Sequence, residues 1–548
     1  MKKLIAALSA VVLCLSMPIA SFAGSYSDVS TDHWAYSQIQ KAAEEGFMSG
    51  MGDGTFGLGQ KVTKAQFVSM VVRLFGWDKI DYQFSSINDN QDSSQWYYSD
   101  VETAAYNGAI ENGGYFNPNS NITREEMAVI LIKALGYDYL AQDAQRESLP
   151  FNDVANNKGY IALAYNFGII SGKSENTFDP TGQASREEAA AMMVRCFEKL
   201  NAPTDFVHGF YAFSSYNQKD LAALMDAVSF GWSRMEYTNE NGVVLDTLSK
   251  NGNEWVVPQG YEDIVTYLKE NNVKTHLNVY MSNGESEMCE KILNNAQNRS
   301  AAVDAIMEEL SLTYKNLGYN PYDGVTIDFE NLKGSEIRQN FNAFLSELNS
   351  RLDSEGKTLY VAVQPALKSG SYFDGYDFKT IADTADKIIL MAYDYYPKTI
   401  SADVMDSGFT TTPVTPFDEV YYGIKNICDS GADKNKIVLG LSIDNVGWKV
   451  ENGVIVNSTG MSLDQNTIIN DIKSGAEVKY SEKYKSPYLN ITDESGNTVI
   501  WFENAQSIKD KIQLAKMFGI NGVSVWRLGI IAQDSSTGMD IWSEINNK

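Results

Sequence analysis

Basic residues and histidine are scarce in this 548-residue chain: 44 Lys+Arg stand against 70 Asp+Glu and three His, a formal net charge of −26. The deficit argues against nucleic acid or an anionic membrane surface as partner, because both are gripped by clustered Lys and Arg that displace counterions. His33, His208 and His276 are too scattered for metal-ligand spacing, so no metal and no other cofactor is expected. Cysteine is too sparse for a disulfide framework: Cys196, Cys289 and Cys428 are widely spaced, and Cys14 falls in an apparent leader. Nothing in the neighbourhoods of these cysteines marks a nucleophile.

The leader itself is the longest apolar stretch. Lys2 and Lys3 precede an apolar run from Leu4 to about Ser16, and Ser21-Phe22-Ala23 supplies the small-x-small pattern that a signal peptidase cuts after. Residues 1–23 therefore read as a secretory signal, and Ser9, Ser16 and Pro18 interrupt it too often for a membrane span of about 20 apolar residues. The chain as a whole is 44% apolar and its charges are scattered, so a globular protein is expected. At roughly 150 residues per domain the length suggests three or four units.

Self-similarity accounts for the N-terminal third. YSDV, HWAYSQIQKAAEEGFMSG, GDGTF and VTKAQFVSMVVRLFG are echoed by IND, WYYSDVETAAYNGAIENG, YFNP and ITREEMAVILIKALGY, then by FNDV, YIALAYNFGIISG, NTFDP and ASREEAAAMMVRCFEK. Thr63, Thr123 and Ser185 each open an apolar-periodic run, with Gln66, Glu126 and Glu188 three residues on, which is capping-box spacing. Each unit thus reads as helix, glycine-rich turn, loop, helix, over 25–78, 87–140 and 149–200. The pattern resembles the S-layer homology (SLH) domain, marked by a threonine-arginine-alanine-glutamate helix start. The resemblance implies an all-α pseudo-threefold bundle that binds a secondary cell-wall polymer, often pyruvylated. Lys64, Arg124 and Arg186 occupy the matching basic positions, with Trp34 and Trp96 in the first two units; the third has Gly159-Tyr160 instead. Arginine serves an anionic sugar better than lysine, through its bidentate fork.

From residue 203 to 548 short β-rich runs alternate with helical stretches. Strands are predicted at 207–213, 232–237, 273–280, 324–330, 359–366, 387–393, 437–442 and 522–528. A helix is predicted to start at Ser335 and to carry Ile337, Phe341, Phe344 and Leu348 on one stripe. Eight strands with intervening helices predict an α/β fold, a (β/α)8 barrel with its active site at the C-terminal strand ends. Residues 446–504 break the rhythm and read as a small α+β insertion walling one side of a groove.

The segment DGVTIDFE, Asp323 to Glu330, concentrates acid. Strand alternation puts Val325, Ile327 and Phe329 on one face and Thr326, Asp328 and Glu330 on the other. Two carboxyls this close cannot both ionise cheaply, and an acid kept protonated beside an ionised neighbour is what glycosidic-oxygen protonation requires. The segment closely resembles the glycoside hydrolase family 18 signature Asp-x-x-Asp-x-Asp-x-Glu. MAYDYY, KIVLGLSID and GVSVWRLG match further strands of that family in order. Its cell-wall and spore-cortex N-acetylglucosaminidases are the nearest in pattern.

The resemblance implies substrate-assisted catalysis. Glu330 is then the acid and later the base, Asp328 the partner of the substrate acetamide, and Tyr393 a donor to the acetamide oxygen. Asp394 helps hold the pocket, and Trp526 stacks under the sugar. Asp323 shapes the strand start. Thr326 stands where the family has its middle aspartate; a threonine can hydrogen-bond Asp328 without repelling it, so Asp328 is expected to titrate more normally and the pH profile to shift without loss of activity. The implied activity is retaining hydrolysis of β-linked N-acetylglucosamine glycans, peptidoglycan first and chitin-type polymers second, by a secreted protein held non-covalently at the bacterial wall. A catalytically silent lectin-like barrel is the alternative from another class, and a purely structural S-layer protein a third. Retention of Glu330 weighs against the lectin, while the paired acids and Trp526 weigh against the structural protein.

Overall fold

A computed structural model describes residues 26–80, 85–248, 261–282, 287–368, 373–395, 411–452, 454–493 and 496–547. The leader predicted at 1–23 lies outside the described residues. The described residues fall into two units, one within 26–137, Ser148–Ala164 and Ile169–Phe197, the other within Asp138–Glu147, Tyr165–Gly168 and 198–547.

The first unit is all helical. Its three repeats supply the pairs Tyr36–Glu44 and Lys64–Leu74, Tyr98–Tyr106 and Arg124–Ala134, and Lys158–Asn166 and Arg186–Leu200. Thr63 and Thr123 complete full capping boxes with Gln66 and Glu126, and Glu188 accepts from both the backbone N–H and the hydroxyl of Ser185. The residues just before these caps interlock: Val62 N–H donates to Ala184 C=O (3.2 Å), Ile122 N–H to Val62 C=O (2.9 Å) and Ala184 N–H to Ile122 C=O (3.0 Å). One cyclic hydrogen-bond ring therefore ties the repeats together. Within each repeat an aspartate from the opening motif staples the loop. Asp28 accepts from the N–H groups of Phe56, Gly57 and Leu58, Asp89 from Phe116 and Asn117, and Asp153 from Phe178 and Asp179.

In the second unit eight parallel strands close a barrel: β1 Phe206–Tyr211, β2 Ala227–Thr238, β3 Lys274–Ser282, β4 Gly324–Glu330, β5 Thr358–Val363, β6 Lys387–Met391, β7 Ile437–Ser442 and β8 Gly522–Trp526. Each pairs with the next, and β1 pairs with both β2 and β8, which shuts the ring. β2 starts five residues before its predicted position, and a short strand at Gly242–Asp246 pairs antiparallel with its end. The helix after β4 runs Ser335–Ser354 and buries Ile337, Phe341, Phe344, Leu345, Leu348 and Leu352. Its cap position falls on Gly334, whose φ of 87° suits glycine, so Ser335 is the first helical residue and not the cap.

Between β7 and β8, strands at Val446–Glu451, Val454–Ile455, Lys479–Ser481, Ser486–Asp493 and Gly496–Trp501 form an antiparallel sheet, accompanied by a helix at Gln465–Lys473. Trp448 and Trp501 pack at its centre with Val446 and Ile455. Among the described residues no helix is long and apolar enough to cross a membrane.

Candidate active site

β4 folds as its alternation predicts. Phe329 lies against Phe344 and Phe341 of the following helix, with ring centroids at 5.3 and 5.9 Å, so burial of the apolar set turns Thr326, Asp328 and Glu330 into the barrel. The strand exit is pinned from several sides. Tyr376 hydroxyl donates to Phe329 C=O (2.6 Å), Asn331 N–H donates to Gln364 Oε1 (2.7 Å), and the Asn331 side-chain amide donates to Ser282 Oγ (2.8 Å). Asn331 adopts φ 61°, a turn that ends the strand directly after Glu330. Asp323 sits at the other end of the strand, where it accepts from Thr275 N–H (2.9 Å).

Asp328 is 3% exposed. Burial pushes its carboxyl up to about 7, and the Asn278 side chain pulls in the opposite direction. The expectation of a more ordinary titration is therefore corrected: burial raises this acid although Thr326 carries no charge. Nor is Thr326 turned to Asp328. Its hydroxyl is 2.6 Å from Ser229 Oγ and 3.2 Å from His276 Nδ1. His276 Nε2 is 2.8 Å from Thr358 Oγ1, and His208 bridges Ser524 (2.7 Å) and Ser229 (2.8 Å). Burial holds His208 down at about 3 and His276 well below its ordinary value, so both rings are neutral bridges between hydroxyls in the barrel interior.

Tyr393 follows β6 and is buried, its hydroxyl without a hydrogen-bond partner among the described residues. Burial and then the nearby Asp328 carboxyl raise its ionisation well above the ordinary tyrosine range. Trp526 closes β8 half-buried, with its ring 5.3 Å from that of Phe210, against a cluster that includes Phe206, Tyr360, Met391 and Tyr393. Asp394 is exposed, with φ 59°. Asp328, Glu330, Tyr393, Asp394 and Trp526 thus lie at or just beyond the C-terminal ends of their strands, with Thr326 two residues below Asp328.

Three nearby groups escaped the sequence reading. Tyr280 pairs in register with Asp328, and burial together with the Glu330 charge pushes it up to about 12. Tyr376 holds the strand exit. Asn278 faces the interior from β3, and a polar residue inside the alternating run THLNVYMS was the signal that could have found it.

The basic positions of the repeats behave unequally. Arg124 donates from Nε to Phe178 C=O (2.9 Å) and from Nη2 to Ser171 C=O (2.6 Å), over the Phe178 ring. Arg186 does the same with Phe56 (2.8 Å) and Ser49 (2.6 Å). Both guanidinium groups are largely buried and grip the next repeat's loop. Lys64 instead pairs with Glu126 (2.5 Å) and lines a cavity of about 420 Å³ with Lys133, Phe116 and Tyr160. Trp34 borders a smaller cavity of about 110 Å³ beside Arg124, Lys173, Glu188 and Arg195. Trp34 is 57% and Trp96 60% exposed, far more than packing requires.

A closed parallel barrel whose strand ends hold two carboxyls one residue apart, with a tryptophan on another strand end, defines a (β/α)8 enzyme of the glycosidase class. The model of glycosyl hydrolases family 18 matches residues 178–530, and the chain belongs to that family; the S-layer homology domain matches residues 25–68, 88–128 and 150–190. A curated relative, "Putative sporulation-specific glycosylase YdhD" of Bacillus subtilis (strain 168), is 28% identical over 248 residues, 44% of this chain and 54% of its own length. The cortical fragment-lytic enzyme of the same organism is 25% identical over 216 residues, 38% of this chain and 46% of its own. The chain therefore spans about half the length of these relatives. The crystal structure of a chitinase from Chromobacterium violaceum ATCC 12472 is 20% identical, with a TM-score of 0.49, over 62% of this chain and 98% of that one.

Proposed function

We propose that this protein is a secreted glycoside hydrolase, held at the bacterial wall by its repeats, that cleaves β-linked N-acetylglucosamine glycans with retention, peptidoglycan being the favoured substrate. The observation that carries the reading is the pair itself: buried Asp328, which burial raises to about 7, one residue from Glu330 on the inward face of a strand in a family 18 barrel. Glu330 protonates the leaving glycosidic oxygen as the substrate's 2-acetamido carbonyl attacks the anomeric carbon. Asp328 accepts the acetamide N–H and stabilises the positive ring that forms, while the unpartnered Tyr393 hydroxyl donates to the acetamide oxygen. The Glu330 carboxylate then draws a proton from water, which opens the ring on the face the aglycone left. Trp526 stacks beneath the sugar, Asp394 borders the pocket, and Thr326 belongs to the hydroxyl-imidazole floor beneath it.

Anchoring falls to the repeats. A secondary wall polymer, pyruvylated or otherwise anionic, lies in the grooves between them, with exposed Trp34 and Trp96 against sugar faces and Lys64 as a basic position, while Arg124 and Arg186, whose guanidinium groups hold backbone carbonyls, shape the groove walls. The location of the repeats beside wall glycan is what favours peptidoglycan over chitin. Mass spectrometry of products released from purified peptidoglycan and from chitin oligomers tests the reading. Wild type is expected to release N-acetylglucosamine-ended fragments and Glu330→Gln at least 1,000-fold less, on the order of the loss expected of an essential general acid; equal release by the variant overturns it.

A further inference from the structure

Asn278 is fully buried, and among the described residues neither its amide nitrogen nor its amide oxygen meets a partner at good hydrogen-bond geometry, although the side chain lies close enough to Asp328 to favour that carboxyl's ionised form. An unpaired buried amide costs folding about 1–3 kcal/mol per group, so stability does not explain its presence. Asn278 pairs in register with Thr326, and the next inward pair on the two strands is Tyr280 with Asp328. Two further orphans accompany it, Asp328 Oδ1 and the Tyr393 hydroxyl. Thr326, the other neutral donor below Asp328, is committed to Ser229 and His276.

We propose that Asn278 is a positioning residue that acts through Asp328. Its amide N–H donates to Asp328 Oδ1 once that carboxyl ionises, which stabilises the charge and fixes the other oxygen toward the substrate acetamide. The inference rests on the role given to Asp328 above. The groups facing Asp328 are Glu330 on its own strand, Asn278 and Tyr280 on β3, Tyr376 after β5, and Tyr393 after β6, with the Asp394 and Asp444 charges also reaching Tyr393. The charged members of that set are acidic; the cation on the next strand is Arg234 of β2, in register with Tyr280, and Asn278 and the tyrosine hydroxyls are the neutral donors beside Asp328.

Two readouts test this. The first follows the Asp328 carboxyl by carbon-13 NMR titration of aspartate-labelled protein, the signal being assigned by its loss in Asp328→Asn. In the isosteric Asn278→Leu the carboxyl is expected to titrate about one pH unit higher, because a donor to the charged form has been removed. The second is kcat and KM on chitotetraose from pH 4 to 9. Asn278→Leu is expected to move the acid limb of kcat upward by the same amount, with KM within about twofold and Tm unchanged or higher, and Asn278→Ser to recover part of the shift. An unmoved titration overturns the proposal whether or not chitotetraose is cut. A pH-independent loss of kcat with a lowered Tm overturns it in favour of a packing role. Failure of wild type to cut any N-acetylglucosamine oligomer counts against the reading of the enzyme, and the titration still decides on Asn278.

Discussion

At the residue scale, the barrel spends stability on its acid. Asp328 ionises in the unfolded chain near the ordinary aspartate value of about 3.9, whereas burial raises it to about 7 in the folded protein. Between those values the native state binds more protons than the unfolded one, so stability falls as pH rises through that window. Asp328→Asn removes the titration. Its Tm is expected to exceed that of wild type by a wider margin at pH 8 than at pH 4, in parallel thermal melts; an equal margin at both would mean that the carboxyl is not held protonated by burial. The acids themselves were legible because strand alternation has a period of two. The environment of Asp328 was not, because the sequence cannot say which neighbour's hydroxyl Thr326 meets across a barrel, and it met Ser229 and His276.

At the scale of elements, all eight barrel strands were readable as apolar runs and the repeat helices as capping boxes at a fixed period. Boundaries were less so. The start of β2 hid in AVSFGW, where serine and glycine dilute the apolar signal, and Gly334 displaced Ser335 from the cap position. The role of the repeat arginines lay beyond spacing altogether, since a motif shows where a guanidinium begins and not which carbonyls it reaches. Arg186→Ala strands the carbonyls of Ser49 and Phe56 and is expected to cost the helical unit about 1–3 kcal/mol. Lys64→Ala breaks a partly exposed pair and is expected to cost about 1 kcal/mol or less. Urea titration followed by tryptophan fluorescence compares the two, and a larger loss from Lys64 would contradict the account of the repeats.

At the scale of the molecule, scarcity of base and abundance of acid divide between two tasks. The few buried arginines are used to lock repeats together, and the chemistry is assigned to carboxyls and the substrate's own amide. Anchoring and hydrolysis are expected to be separable. The double variant Trp34→Ala, Trp96→Ala removes two exposed rings and is expected to reduce co-sedimentation with purified wall at least tenfold while leaving kcat/KM on soluble chitotetraose within about twofold. A parallel fall in both would mean that the rings serve folding.

The claim that the Asp328–Glu330 pair performs substrate-assisted hydrolysis is met most directly by proton NMR of the first turnovers on chitotetraose, before mutarotation mixes the anomers. The account predicts that the new reducing end appears as the β-anomer; first appearance of the α-anomer would contradict it.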